Sequence, residues 1–222
     1  SLNQRDQIQV TAGTIQRGDG SSLNVWKRFS GIDYVTTGTI TVQGNITLSI
    51  AAGNTVKFPL NGYFYIGNAT PGGLSIDAAG NAVTLTANNP AAGQEWSGIR
   101  FSANASASLL RGVNITGFNV ALAGGIRMID PTAMDVLGTS ILTLDQVNLT
   151  STFAASVGIY ADANTRPVSM TNTTISTVGS SVNARVDDLH SYMATSNIYG
   201  TTLTARAGTI DTTRNAVDAT TW

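Results

Sequence analysis

Asp187, Asp188 and His190 form the densest group of side chains able to do chemistry, and Asp162, Arg166 and Arg185 are near enough in sequence to fall in neighbouring turns of a repeating chain. Two carboxyls set about 5–9.5 Å apart can hydrolyse a glycosidic bond, and a base beside a cationic group can take the α-proton of an acidic sugar. The local pattern argues against both. Adjacent residues of a strand point to opposite faces, so Asp187 and Asp188 would not converge on one substrate. No Asn-Thr-Asp, Gly-His-Gly or Arg-Ile-Lys segment accompanies them, and Glu95 is the sole glutamate. The expectation here is a solvated bend near the C-terminal end.

Other candidates reduce in the same way. His190 is the only imidazole and cysteine is absent, which excludes a multi-histidine or thiolate metal site within one chain. Asp130 and Asp135 flank Pro131 and could clasp Ca²⁺ with carbonyls, but no Asp-x-Asp-x-Asp-Gly loop surrounds them, and they read as a loop. Arg17-Gly18-Asp19 matches an integrin-binding tripeptide and reads as an ordinary turn. Tyr63 and Tyr65 share one face of an alternating run; outward they could stack on a sugar, and the expectation is that they point inward and plug the core. Trp26 and Trp96 read as core or cap plugs, while Trp222 needs a packing partner. Thr37-Gly38-Thr39-Ile40-Thr41 and Thr84-Leu85-Thr86 offer Thr-x-Thr pieces suited to ordering water, with no ladder of them evident along the chain. The sequence thus predicts no catalytic, cofactor-binding or metal-ligating residue. Six Asn-x-Ser/Thr sequons follow from a composition rich in all three residues.

The elements that would carry these residues are short strands. The 222 residues include twenty-three Gly, and charged residues make up 11%, about half the usual share. Thr, Ser, Asn and Gly stand where charge is missing. Two Lys and ten scattered Arg give no basic footprint for nucleic acid. No window approaches the ~18 apolar residues of a membrane span. The chain begins at Ser1 instead of Met, which suits a mature exported protein after signal-peptide removal and equally a trimmed chain.

Alternation recurs in Ile40-Thr41-Val42, Ile46-Thr47-Leu48-Ser49-Ile50, Val56-Lys57-Phe58, Leu74-Ser75-Ile76 and Val83-Thr84-Leu85-Thr86. Turn signals separate them: Val42-Gln43-Gly44-Asn45, Ala52-Gly53-Asn54, Leu60-Asn61-Gly62, Pro71-Gly72-Gly73 and Ala79-Gly80-Asn81. One helical turn is the most that the stretch from Asp187 to Ala194 allows. The second half repeats, with the Leu109 to Thr116 segment echoed by Leu142 to Thr150, Val168 to Ser176 and Met193 to Thr204. Its anchors Ile115, Leu149, Ile175 and Leu203 lie 34, 26 and 28 residues apart. Spacings of this size signal stacked repeats.

These features predict an all-β parallel β-helix, one solenoid over residues 1–222, with an N-terminal strand and cap region at 1–35 and stacked coils at 36–222. Each coil alone could not hide its Leu, Ile and Val, whereas stacking buries them in one column. A β-sandwich also has short strands and frequent turns, but has no need of the long repeat. Charge gathers at the ends: seven charged residues lie in 1–33, eleven in 34–184 and seven in 185–218. Charged caps protect open edges, and complementary ends could instead align copies into a fibre.

From Val25-Trp26, through Tyr34-Val35-Thr36-Thr37-Gly38-Thr39-Ile40-Thr41-Val42 and Leu48-Ser49-Ile50-Ala51-Ala52-Gly53-Asn54-Thr55-Val56-Lys57-Phe58, to Val83-Thr84-Leu85-Thr86-Ala87 and Trp96-Ser97-Gly98-Ile99-Arg100-Phe101, the chain resembles bacterial right-handed parallel β-helix repeat surface proteins. The resemblance covers about residues 25–118. It departs at Ala51-Ala52, where a proline often precedes the glycine, and in lacking a recognisable sorting or anchoring tail after Ala207. It implies a right-handed, exported, structural or adhesive solenoid without a catalytic site or cofactor. The functional expectation is a non-enzymatic cell-surface protein that self-associates into a filament or lattice, or acts as an adhesive module. Its partners would be copies of itself, through the solenoid ends or the N-terminal strand around Gln7-Ile8-Gln9-Val10-Thr11, and a surface polysaccharide. The alternative is a polysaccharide lyase or hydrolase on the same scaffold.

Overall fold

In Ile46-Thr47-Leu48-Ser49-Ile50 the three aliphatic side chains are buried and the two hydroxyl residues between them are half-buried, the outcome that period-two alternation dictates for a strand with one face in the core. The same rule builds most of the strands among the described residues. A computed structural model describes residues 7–16, 23–89, 91, 93–102, 104–118, 126–128, 142–151, 159–161, 168–172, 174–177, 198–199 and 202–205. Among them there is no helix.

The strands are β1 (Gln7–Val10), β2 (Gly13–Ile15), β3 (Leu23–Trp26), β4 (Asp33–Thr36), β5 (Ile40–Val42), β6 (Ile46–Ile50), β7 (Thr55–Phe58), β8 (Phe64–Ile66), β9 (Gly72–Asp77) and β10 (Val83–Ala87). They continue as β11 (Ile99–Phe101), β12 (Ser108–Thr116), β13 (Ile126–Met128), β14 (Leu142–Ser151), β15 (Ile159–Ala161), β16 (Val168–Thr171), β17 (Thr174–Thr177), β18 (Ile198–Tyr199) and β19 (Thr202–Ala205). Every strand pair among the described residues is parallel, and strands pair with those about three further along the chain. A sandwich, which pairs strands antiparallel, is therefore excluded for this region.

Three series result. One runs β1, β4, β7, β10, then the C-terminal halves of β12 and β14, then β17 and β19. A second runs β2, β5, β8, β11, β13, β15 and forms a six-stranded sheet. The third runs β3, β6, β9, the N-terminal halves of β12 and β14, β16 and β18. The first and third merge into one thirteen-stranded sheet because β12 and β14 pass through the bend between them without a break.

Register places like above like. One core column reads Ile8, Tyr34, Val56, Leu85, Ile115, Leu149, and continues through the positions of Ile175 and Leu203. The four anchors of the sequence repeat are thus direct neighbours. From Val56 to Leu149 these side chains are fully buried, each contributing about 1.5–3 kcal/mol of transfer free energy. Aromatic rings link the layers from within. Tyr34 stacks on Trp26 at 5.0 Å, Trp26 meets Phe64 at 5.9 Å, Phe64 packs edge-on to Phe58 at 4.9 Å, and Phe58 stacks on Trp96 at 4.4 Å. Trp96 is a core plug, as expected; Trp26, in the first layer, is only partly covered.

Tyr63 and Tyr65 correct the sequence reading. The inward ring is Phe64, which is fully buried, while both tyrosines are half-exposed. With three aromatics in a row, alternation leaves the phase open, and register sets it: Phe64 lies between Ile40 and Ile99, both core residues.

The bend inside β12 shows how tight the corners are. Gly112 has φ +66, and a Cβ there would sit 2.4 Å from the carbonyl oxygen of Ala78 in the strand layer below. Gln146 and Asn172, at the matching bends of the following layers, keep the same left-handed backbone at φ 56 and φ 49. Gly72, expected in a turn, lies instead inside β9, where a Cβ would meet the Val42 carbonyl oxygen at 2.1 Å. Its glycine answers to close packing of backbones, not to a turn.

Candidate functional site

Asp187, Asp188, His190, Asp162, Arg166, Arg185, Asp130, Asp135, the Arg17-Gly18-Asp19 tripeptide and Trp222 all lie outside the described residues. Among the described residues no group of three or more His, Cys, Asp or Glu gathers as a metal ligand set. The chemistry on view is that of the outward faces of the three series.

Two carboxylates do share a partner. Asp77, Arg111 and Asp145 occupy consecutive register positions of the third series, and Arg111 reaches Asp77 through Nη1 at 3.2 Å and Asp145 through Nε at 3.2 Å. Asn172 Nδ2 donates to Asp145 Oδ1 at 3.4 Å. The two acids stand two strand spacings apart, about 9.6 Å, with a guanidinium in the gap where a glycosidic oxygen would have to enter. That arrangement fastens three layers together and leaves no room for acid–base chemistry between the acids. With solvent reaching all three side chains, each pair is screened and adds up to about 1 kcal/mol. Glu95 accepts a hydrogen bond from the Gly93 backbone N–H at 2.9 Å and serves as a loop clasp.

On the second series, Thr41, Tyr65 and Arg100 follow one another in register. The Arg100 guanidinium lies 4.1 Å from the centre of the Tyr63 ring, and the Tyr63 and Tyr65 rings stand 5.9 Å apart. Aromatic faces beside a planar cation can stack on a sugar ring and bind its hydroxyls. The positions of Arg127 and Tyr160 continue this line.

The first series carries a ladder that the sequence did not reveal. Thr55, Thr84, Asn114 and Asn148 succeed one another in register, and the positions of Thr174 and Thr202 extend the column. Beside it run Lys57, Thr86, Thr116 and Thr150, extended by the positions of Ser176 and Thr204. Thr116 Oγ1 donates to Thr86 Oγ1 at 2.9 Å, and Asn148 Nδ2 donates to Asn114 Oδ1 at 3.0 Å. As expected, no coil-by-coil ladder of Thr-x-Thr pieces runs through these layers: from Thr55 to Thr150 only Thr84-Leu85-Thr86 is one in this series, and the columns mix threonine with asparagine. Asn or Ser replaces Thr at some steps, and the steps themselves vary, at 29, 30, 34, 26 and 28 residues from Thr55 through Thr84, Asn114, Asn148 and Thr174 to Thr202.

The first layer offers a fourth surface. β1, β2 and β3 each pair on one side alone among the described residues. Ile8, Val10, Ile15 and Trp26 pack against the core from this layer but remain partly exposed. β1 joins its own chain, parallel to β4, which is the self-capping one of the two roles expected for this strand. Tyr34, next in the column above Ile8, donates its hydroxyl to the Lys27 carbonyl at 2.7 Å, and burial pushes its pKa above the ordinary value. No family model, curated protein or solved structure matches this chain.

Proposed function

We propose that the protein is a right-handed parallel β-helix exported to the bacterial cell surface, where it acts as a non-enzymatic structural unit that associates end to end through its first layer. Handedness, export and bacterial surface location rest on the resemblance of residues 25–118. Support for the coiled stack comes from the three parallel series and their shared register. The observation that carries the association is the first layer: its three strand edges are open among the described residues, and Ile8, Val10 and Ile15, which begin three core columns, are incompletely covered. An open edge with apolar cover missing is a template for another strand layer, and a head-to-tail contact of this kind does not close.

Electron micrographs of concentrated protein are expected to show filaments. Ile15→Glu puts a charge under the first layer and should raise the assembly concentration tenfold or more, roughly 1.4 kcal/mol. Gln9→Glu, on the exposed side of β1, should leave assembly unchanged. Persistent monodisperse monomers of the unmodified protein would remove the polymer reading.

A second reading, an adhesive module for surface polysaccharide, is favoured by the outward Tyr63, Tyr65 and Arg100. Retention on immobilised polysaccharide that is lost in Tyr65→Ala would support it. The lyase or hydrolase alternative depends on Asp187 and Asp188, and stands or falls on release of unsaturated or reducing sugars that either alanine variant abolishes.

A further inference from the structure

We propose that the outward face of the first series binds ice, its ligand being the ordered water at the surface of an ice crystal. The proposal rests on the register of this face and is independent of the end-to-end association. Thr84, Thr86, Asn114, Thr116, Asn148 and Thr150 form a two-column array across three successive layers. Parallel pairing sets the repeat up each column at about 4.8 Å, and two residues along a strand set the distance between columns at about 6.6 Å. Both are close to separations between water oxygens on faces of hexagonal ice. The array is two-dimensional because the sheet is.

Three further features favour ice over other occupants. No charge stands at these six positions, so nothing on the array draws water into the radial shell that a strong ion imposes. Among the described residues of this series the nearest charge, Lys57, stands at the lower margin of the array and is paired with Asp33 at 2.8 Å. One step of each column is also fastened, by the Thr116–Thr86 and the Asn148–Asn114 hydrogen bond. Ordering water over groups already fixed costs less entropy than ordering both partners. Finally, threonine offers a methyl beside each hydroxyl, so the array can seat a water cage on apolar patches while bonding it at the hydroxyls. A crystalline polysaccharide would call for aromatic stacking platforms, and the outward tyrosines lie on a different series. A second copy would need apolar area that this array does not present.

The test grows a single ice crystal slowly from a dilute solution of the full chain and measures the protein incorporated, with inhibition of ice recrystallisation as a parallel readout. The unmodified protein is expected to concentrate in the ice. Thr116→Tyr, a bulky outward change at the centre of the array, should reduce incorporation to the level of a non-binding control protein. Ser49→Tyr, an outward change of the same kind on the third series, should retain it. Circular dichroism reports whether each variant is folded; if Thr116→Tyr is not, Thr84→Tyr takes its place. Exclusion of the unmodified protein from ice overturns the proposal. So does retention by a folded Thr116→Tyr or Thr84→Tyr, or an ice signal lost equally in Ser49→Tyr. Binding to cellulose or chitin powder, or a Thr116-dependent dimer, in a protein that ice excludes would assign the face to those partners instead.

Discussion

Trp96→Ala is expected to destabilise the protein by about 3–5 kcal/mol, read as a fall in the urea midpoint. The indole is fully buried and stacks face to face on Phe58 at 4.4 Å with 13° between the planes. Through Phe58 it continues the line of rings that crosses the layers to Phe64, Trp26 and Tyr34. Its Nε1 donates to the Thr116 carbonyl at 2.7 Å, and its backbone N–H donates to the Gly117 carbonyl at 3.3 Å. Alanine would leave a cavity at one end of the stack of rings and deprive the Thr116 oxygen of the indole donor. Trp96→Phe separates the two effects. It keeps most of the stacking and loses the indole N–H, so its cost should be about 1–2 kcal/mol. Equal losses in the two variants would mean that the hydrogen bond, and not the packing, holds this loop to the next layer.

Gly112→Ala is expected to cost more than about 2 kcal/mol, because two penalties meet at one atom. The left-handed backbone is unfavourable for an L-residue by roughly 1–2 kcal/mol. The new Cβ would also stand 2.4 Å from a backbone oxygen, so a strand layer would have to move. Gly112→Asn tells the two apart, since asparagine tolerates the left-handed region but still carries a Cβ. It should be nearly as damaging as alanine. Gln146→Gly, at the equivalent bend one layer on, relieves the backbone penalty and adds chain entropy, and should stay within about 1 kcal/mol of the parent. Midpoints in urea, with an unchanged denaturant slope, are the measurement.

Much of this scaffold is legible in residue order. Ile46–Ile50 and Ile40–Val42 are strands with the expected bounds, and their alternation names the buried residues correctly. The positions of Ile115, Leu149, Ile175 and Leu203 are register neighbours, as a repeat that returns an apolar residue to each layer requires. What was not legible depends on contacts between layers. Alternation alone could not say that Phe64 and not its tyrosine neighbours faces inward. Pro71-Gly72-Gly73 reads as a turn from local propensity, yet Gly72 is conditioned by the Val42 carbonyl thirty positions earlier. Gln146 carries a left-handed backbone with no glycine or asparagine to announce it; the stacked bends at Gly112 and Asn172 impose it. Propensity yields wherever the neighbouring layer decides.

The candidate sites divide differently. The acids and the histidine singled out from sequence lie outside the described residues, so their chemistry rests on residue type and spacing alone. The threonine and asparagine array was hidden for a physical reason. Loops of different length enter each layer without disturbing its strands, so a ladder that is regular in space is irregular in sequence.

The fold depends on layers stacked in parallel and in register, and cysteine pairing tests that directly because the chain has no cysteine of its own. Thr116 and Thr150 are register partners although 34 positions separate them. Their Cα atoms should stand about 4.8 Å apart, inside the ~4.4–6.8 Å window for a disulfide. The measurement is the fraction of monomer cross-linked under mild oxidation in a Thr116→Cys, Thr150→Cys double variant, compared with Thr116→Cys paired with Ser49→Cys on another series. Rapid, near-complete linkage in the first and none in the second is the expected result. Free thiols in a folded first variant, or equal linkage in both, would contradict the stacked register.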